Sequence, residues 1–219
     1  MPEMKMNLEL FDDDEAREQD LAPGARLLRG FALKAMPALL DGVAAVQAQA
    51  PLRRMVTPGG LTMSVAMTNC GSLGWVSDAR GYRYQADDPL SGERWPAMPE
   101  AFAALARDAA ESAGYASFVP DACLVNRYEP GTKLSLHQDR DEQDYGQPIV
   151  SVSLGLPAVF QFGGLKRSER PARVPLAHGD VVVWGGPARL RFHGVLPLAE
   201  GSHPLLGRQR INLTFRKAG

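Results

Sequence analysis

His137 and Asp139 stand two positions apart in Leu134-Ser-Leu-His-Gln-Asp139, and His193 follows late in the chain. On a strand, side chains two apart share a face. His137 and Asp139 would therefore point one way while Leu134 and Leu136 point the other. Two imidazoles and one carboxylate on one face of an octahedron leave three positions open, the arrangement used by non-haem Fe(II) oxygenases. The open positions can take a bidentate co-substrate and O₂. A bare H-x-D is a weak signal, and the chain carries its own control. His178-Gly-Asp180 is a second H-x-D, but its glycine and the Val-Val-Val-Trp184 that follows read as a turn entering a buried strand. His203, between Ser202 and Pro204, reads as a solvated loop residue.

A second constellation lies near the C-terminus. Arg210, Asn212, Thr214 and Arg216 alternate with Ile211, Leu213 and Phe215. One strand face is wholly polar and the other wholly apolar. Two readings stand: the arginines face solvent, or the polar row lines a ligand-filled barrel while the apolar row packs beneath an outer layer. In the second case the arginines need anions to pair with. Their planar forks suit carboxylates, and a dicarboxylate such as 2-oxoglutarate would satisfy both. Asn126 and Tyr128 share a face just before the metal strand and can hydrogen-bond the same ligand.

The elements must bring these residues together. A chain of 219 residues with 45% apolar content can bury a sizeable core in one domain. The segments Ala122–Tyr128, Leu134–Asp139, Ile149–Leu156, Ala158–Phe162, Asp180–Trp184, Leu190–His193 and Gln209–Arg216 read as successive short strands, which predicts an all-β sandwich or barrel over about 120–219. Helices are expected over Phe31–Ala48 and from Pro99 to just before Gly114, and short strands at Arg26–Phe31 and Thr62–Thr68. Residues 1–20 read as a poorly ordered polar tail. The irregular segment of about 51–97, with Trp75, Tyr82, Tyr84 and Trp95, reads as a cover over a site.

A net charge of −1 gives no global field toward nucleic acid or membrane, so a nucleic-acid partner would be held by local contacts. Cys70 and Cys123 match no zinc or redox spacing and read as small buried residues, which suits a reducing compartment. No stretch approaches the roughly 20 apolar residues of a membrane span, and the acidic start has no leader pattern. A cytoplasmic, monomeric protein is expected.

The stretches M-V-T-P-G-G (55–60), M-S-V-A-M-T-N-C-G (63–71), L-S-L-H-Q-D (134–139), I-V-S-V-S-L-G-L-P-A (149–158), F-Q-F-G-G-L-K-R (160–167), H-G-D-V-V-V-W-G-G (178–186) and N-L-T-F-R (212–216) resemble the AlkB family of bacterial DNA-alkylation repair dioxygenases, from about Arg26 to Ala218. The resemblance implies a mainly β fold with flanking helices, a double-stranded β-helix (jelly-roll) core and an N-terminal nucleotide-recognition lid. It implies Fe(II) held by His137, Asp139 and His193. It implies 2-oxoglutarate held by Arg210 and Arg216, with Asn126, Tyr128 and Asn212 as hydrogen-bonding partners. In the lid it implies that Trp75 stacks on a flipped base, that Tyr82 and Tyr84 lie near the nucleotide backbone, that Asp141 contacts the base, and that Arg167 sits beside the substrate. Without the resemblance, Trp75 is an ordinary packed aromatic and Asp141 a turn acid in Asp139-Arg-Asp-Glu142.

The implied reaction is oxidative demethylation of 1-methyladenine and 3-methylcytosine in DNA, with single strands preferred and RNA left open. Those lesions are cationic, and an indole face and a carboxylate both attract cations. A zinc-dependent hydrolase on the same His/Asp/His set would not need the arginine row. A non-catalytic module stacking bases on the aromatics would not need the triad. Another oxygenase of the same superfamily, acting on protein or a small molecule, would not need the aromatic cover.

Overall fold

The computed structural model describes residues 18–219. Its frame is two opposed antiparallel sheets, the mainly β jelly-roll expected. Eleven of the thirteen strands build it: β1 (Glu18–Ala22), β2 (Ala25–Leu28), β3 (Ala66–Gly71), β6 (Ala122–Tyr128), β7 (Leu134–His137), β8 (Ile149–Gly155), β9 (Ala158–Phe162), β10 (Ala172–Leu176), β11 (Val181–Trp184), β12 (His193–Val195) and β13 (Arg210–Arg216). The larger sheet runs β1-β2-β11-β8-β13-β6-β3 and the smaller β10-β9-β12-β7. The remaining two, β4 (Gly74–Asp78) and β5 (Gly81–Gln85), pair with each other in a separate hairpin.

Alternation along the large sheet sorts its residues into two layers. Val125, Val150, Val152, Ile211, Leu213 and Phe215 face outward and are buried beneath two helices. These are α1 (Met36–Gln49) and α2 (Glu100–Ser112). Phe102 of α2 meets Phe215 edge to face, with ring centroids 6.0 Å apart. The opposite set, with Leu124, Tyr128, Ile149, Val182 and Trp184, faces Phe160, Phe162, Val174 and Val195 of the smaller sheet. Because both faces of the large sheet are covered, a polar row on its inner face is buried whatever its chemistry.

Several boundaries differ from expectation. Most of the expected tail lies outside the described residues, but residues 18–20 form part of β1, paired with β2. Pro99 is the N-cap of α2 rather than its first residue, and α1 is preceded by a 3-10 turn at Leu33–Ala35. The strand expected at Thr62–Thr68 runs instead from Ala66 to Gly71 and belongs to the large sheet. The core sheet therefore draws on β1, β2 and β3, all before residue 120. The strand expected at Leu190–His193 begins at His193, and β10 was not anticipated.

Candidate active site

His137 ends β7 and His193 begins β12, and the two are direct partners across the smaller sheet. Gly194 makes that pairing possible. A Cβ there would stand 2.6 Å from the Leu134 carbonyl oxygen, so only glycine lets β12 approach β7 this closely. The imidazole centroids lie 4.4 Å apart. Each Nδ1 lies against the carbonyl two residues back, Ser135 at 2.9 Å and Arg191 at 3.0 Å. A carbonyl only accepts, so Nδ1 carries the proton and Nε2 offers its lone pair. Both Nε2 atoms face Asp139, at 3.5 Å from Oδ1 for His137 and 3.7 Å from Oδ2 for His193.

One donor atom from each residue lies within 4.8 Å of the others. With metal–ligand bonds of about 2.1 Å, cis ligands sit about 3 Å apart, so the three donors need only a small inward shift to share one ion. Asp139 lies past the end of β7, and its backbone is fixed from elsewhere: Arg189 Nη1 donates to the Asp139 carbonyl at 3.0 Å.

The protonation states suit metal ligation. Burial pushes the Asp139 carboxyl up, but the Arg216 guanidinium and then the two imidazoles outweigh it, holding the group well below the usual carboxylate range. Burial and the neighbouring His137 lower His193 to about 4, so its imidazole is neutral and free to ligate at neutral pH. Arg216 donates to Asp139 Oδ2 through Nε (3.0 Å) and Nη2 (2.7 Å), and its Nε is 3.3 Å from Glu142 Oε1.

Arg210 differs from Arg216. It is 1% exposed, and its Nη2 donates to Ser153 Oγ at 2.9 Å. Its guanidinium carbon lies 5.0 Å from the Tyr128 ring centroid. Nε and Nη1 have no partner among the described residues. A buried guanidinium with two open donors is expensive unless an anion completes it. The arginine row thus faces inward, and one member keeps two donors without a partner among the described residues. Asn212 is held by Ser151 Oγ (2.8 Å) and the Val152 carbonyl (2.9 Å), with Asn126 opposite it on β6.

A cavity of about 600 Å³ joins these groups, within the range of ligand pockets. His137, Asp139, His193, Asn126, Tyr128, Arg210, Asn212 and Arg216 line its interior, and Trp75, Tyr82, Tyr84 and Asp141 line it from the hairpin and the loop after β7. Trp75 stacks on Tyr82 with centroids 5.6 Å apart and planes 12° apart, and its Nε1 donates to Asp141 Oδ2 at 2.7 Å. Tyr84 turns inward, donating to Glu142 Oε1 at 2.8 Å. Arg167 is not brought in; its guanidinium lies over the Phe192 ring at 5.7 Å.

Sequence reading missed Glu142, Arg189, Ser151 and Ser153. Glu142 is 6% exposed and accepts from Arg189 Nη2 (2.9 Å) as well as from Tyr84. The serines were legible, since they alternate with valines in β8 on the face opposite the core set. Arg189 sits in a turn and gave no pattern. Of the other histidines, His178 is structural as expected: its Nδ1 accepts the Gly155 N–H at 2.8 Å. His203 is not free in solvent but packs against His178 with centroids 4.3 Å apart. Cys70 and Cys123 are buried, free and direct partners between β3 and β6.

The profile of the 2OG-Fe(II) oxygenase superfamily matches residues 24–216. The alpha-ketoglutarate-dependent dioxygenase AlkB of Salmonella typhimurium is 61% identical over 96% of this chain and 98% of that protein. The AlkB of Escherichia coli is 58% identical over 97% and 98%. The chain belongs to the AlkB family of alpha-ketoglutarate-dependent dioxygenases. The solved structure of OsALKBH1, 30% identical, superposes with a TM-score of 0.80 over 91% of this chain and 99% of that one. An AlkB-family enzyme uses Fe(II), 2-oxoglutarate and O₂, and the donor set at His137, Asp139 and His193 fits that requirement. The alternatives of a zinc hydrolase and a non-catalytic binding module fall away.

Proposed function

We propose that this protein oxidatively demethylates 1-methyladenine and 3-methylcytosine in DNA, favouring single strands and leaving RNA open as a second substrate. The observation that carries this reading is the buried Arg210, whose two unpartnered donors point to a dicarboxylate co-substrate beside the His/Asp/His cluster. His137, Asp139 and His193 would hold Fe(II). Arg210 would take the distal carboxylate of 2-oxoglutarate, with Tyr128, Asn126 and Asn212 around the chain. Arg216, already shared between Asp139 and Glu142, would neutralise the keto-acid end. Bound there, Fe(II) and 2-oxoglutarate would with O₂ supply the oxidising equivalent that hydroxylates an N-methyl carbon, leaving succinate, CO₂ and, after the hydroxymethyl group departs, formaldehyde.

The chain's own part is placement. Trp75 stacks the base, Asp141 faces the cationic ring, and Tyr82 borders the nucleotide backbone. Tyr84, held by Glu142, closes the cavity from the hairpin side rather than reaching the backbone. Arg167, on the loop after β9 and outside the cavity, keeps the role of a residue beside the substrate. The target must leave the stack to reach so recessed a site, which favours unpaired or distorted DNA. Residues 1–219 are taken as one catalytic domain, with its lid being the hairpin β4–β5 and the loops on either side of it.

The metal donors and the arginine row lie within one chain, so the reading needs no second copy and the protein is taken as a monomer. The free Cys70–Cys123 pair supports a reducing, cytoplasmic setting. Among the described residues no helix is long and apolar enough to cross a membrane. The test is formaldehyde release from an N1-methyladenine oligonucleotide with Fe(II), with and without 2-oxoglutarate. Release that depends on 2-oxoglutarate is expected; equal turnover in both defeats the proposal.

A further inference from the structure

No strand pairing ties Trp75 to either main sheet among the described residues. Among the described residues its strand β4 pairs only with β5, and β3, the edge strand of the large sheet, forms no backbone ladder with β4. In a two-stranded antiparallel hairpin every second residue turns its N–H and C=O away from the partner strand. At Trp75 those two groups meet one side chain. Asn69 on β3, 1% exposed, accepts the Trp75 N–H on Oδ1 at 3.0 Å and donates Nδ2–H to the Trp75 carbonyl at 3.0 Å. The primary amide thus presents the donor–acceptor pair that a neighbouring strand would have offered.

Gly74 permits that approach. A Cβ there would lie 2.8 Å from Asn69 Cβ and would run into the Trp95 indole. Trp95 is itself fixed, donating Nε1–H to the Gln85 carbonyl at the end of β5 (3.1 Å) with the Arg53 guanidinium 5.4 Å over its ring.

We infer that Asn69 is the positioning residue for the indole of Trp75, setting its plane against Tyr82 and its Nε1–H on Asp141. This rests on the reading above, in which Trp75 stacks on the methylated base. Asn69 touches neither substrate nor cofactor. It acts by fixing the backbone from which Trp75 projects, so its loss weakens base binding and leaves the 2-oxoglutarate end of the cavity intact.

The experiment compares Asn69→Ala, Asn69→Asp, Trp75→Ala and the double variant Asn69→Ala/Trp75→Ala. KM is measured for an N1-methyladenine oligonucleotide and for 2-oxoglutarate. Asn69→Asp keeps the shape and the acceptor but loses the donor. Two hydrogen bonds of ordinary strength correspond to roughly a tenfold rise in oligonucleotide KM for Asn69→Ala. KM for 2-oxoglutarate is expected to change by less than about twofold, since no cofactor contact is touched. The double variant should be no worse than Trp75→Ala alone, because the two residues act through one indole.

If Trp75→Ala raises oligonucleotide KM and neither Asn69 variant does, the inference is overturned while the stacking reading stands. If Trp75→Ala itself has no effect, the stacking reading fails and this inference with it. If both KM values rise together, or neither Asn69 variant binds 2-oxoglutarate, Asn69 serves only the core and the inference is again overturned.

Discussion

Replacing Arg210 with methionine should move function and stability in opposite directions. The guanidinium is buried, its charged form disfavoured by burial and only partly relieved by Tyr128. Among the described residues it has one hydrogen bond, to Ser153, one aromatic face, Tyr128, and two donors without partners. Truncating one partner of a buried, hydrogen-bonded charge pair costs about 2–5 kcal/mol of binding. At 1.4 kcal/mol per tenfold, 2-oxoglutarate should bind about 30- to 4,000-fold more weakly. The ligand-free protein should gain. Removing an uncompensated charge relieves a penalty of several kcal/mol, offset by the lost Ser153 bond and cation–π contact of about 3 kcal/mol together. A net gain of about 1–2 kcal/mol raises the melting temperature by roughly 2–8 °C at this chain length. The assay is a thermal melt under anaerobic Mn(II), with and without 2-oxoglutarate. A saturating ligand at about 100 times its Kd adds about 2.7 kcal/mol to the parent protein and, at the same concentration, should add about 0.9 kcal/mol or less to the variant. A variant that melts lower without ligand and keeps its 2-oxoglutarate affinity would refute the reasoning, because the guanidinium would then belong to the core.

Three further outcomes are expected. Asp139→Asn removes the only carboxylate among the three donors, so Mn(II) affinity measured by calorimetry should fall by at least about 100-fold; unchanged affinity places the metal elsewhere. In the metal-free protein His193 is lowered to about 4, below its ordinary 6.5, so the unfolded state takes up a proton first as pH falls. Stability is full above pH 6.5 and declines toward pH 4 by about 3 kcal/mol. Urea midpoints at pH 4.5 and 7.5 should show this, and His193→Gln should flatten the difference. Glu142→Gln strips the charge between Arg189 and Arg216 and should cost about 3 kcal/mol in urea unfolding; a loss under 1 kcal/mol would show that the acid is not what holds these guanidinium groups.

Much of the site was legible because β structure writes its faces into alternation. The polar row Arg210–Arg216 and the paired spacing of His137 and Asp139 follow from a period of two, as do Asn126 and Tyr128. That period shows which residues share a face, but not which face is inside. Whether the arginines met solvent or ligand depended on α1 and α2 covering the apolar side and the smaller sheet covering the other. Arg189 and Glu142 had no period to reveal them, since both lie in irregular segments. The hairpin β4–β5 was read only as irregular cover, because its anchor is a side chain, Asn69, rather than a ladder.

Sequence by itself determined the donor types, the strand that carries the arginines and the kinship with the AlkB family, since these depend on residue identity and local spacing. Tertiary structure alone decided that β7 and β12 pair in the register that sets His193 opposite His137, that Arg210 is left with open donors while Arg216 already contacts Asp139 and Glu142, and that Arg167 stays outside the cavity. Each of those turns on strand order and on the burial of long side chains between elements far apart in the chain. No local pattern encodes these contacts, because their energy comes from desolvation and pairing that exist only after the sheets have closed.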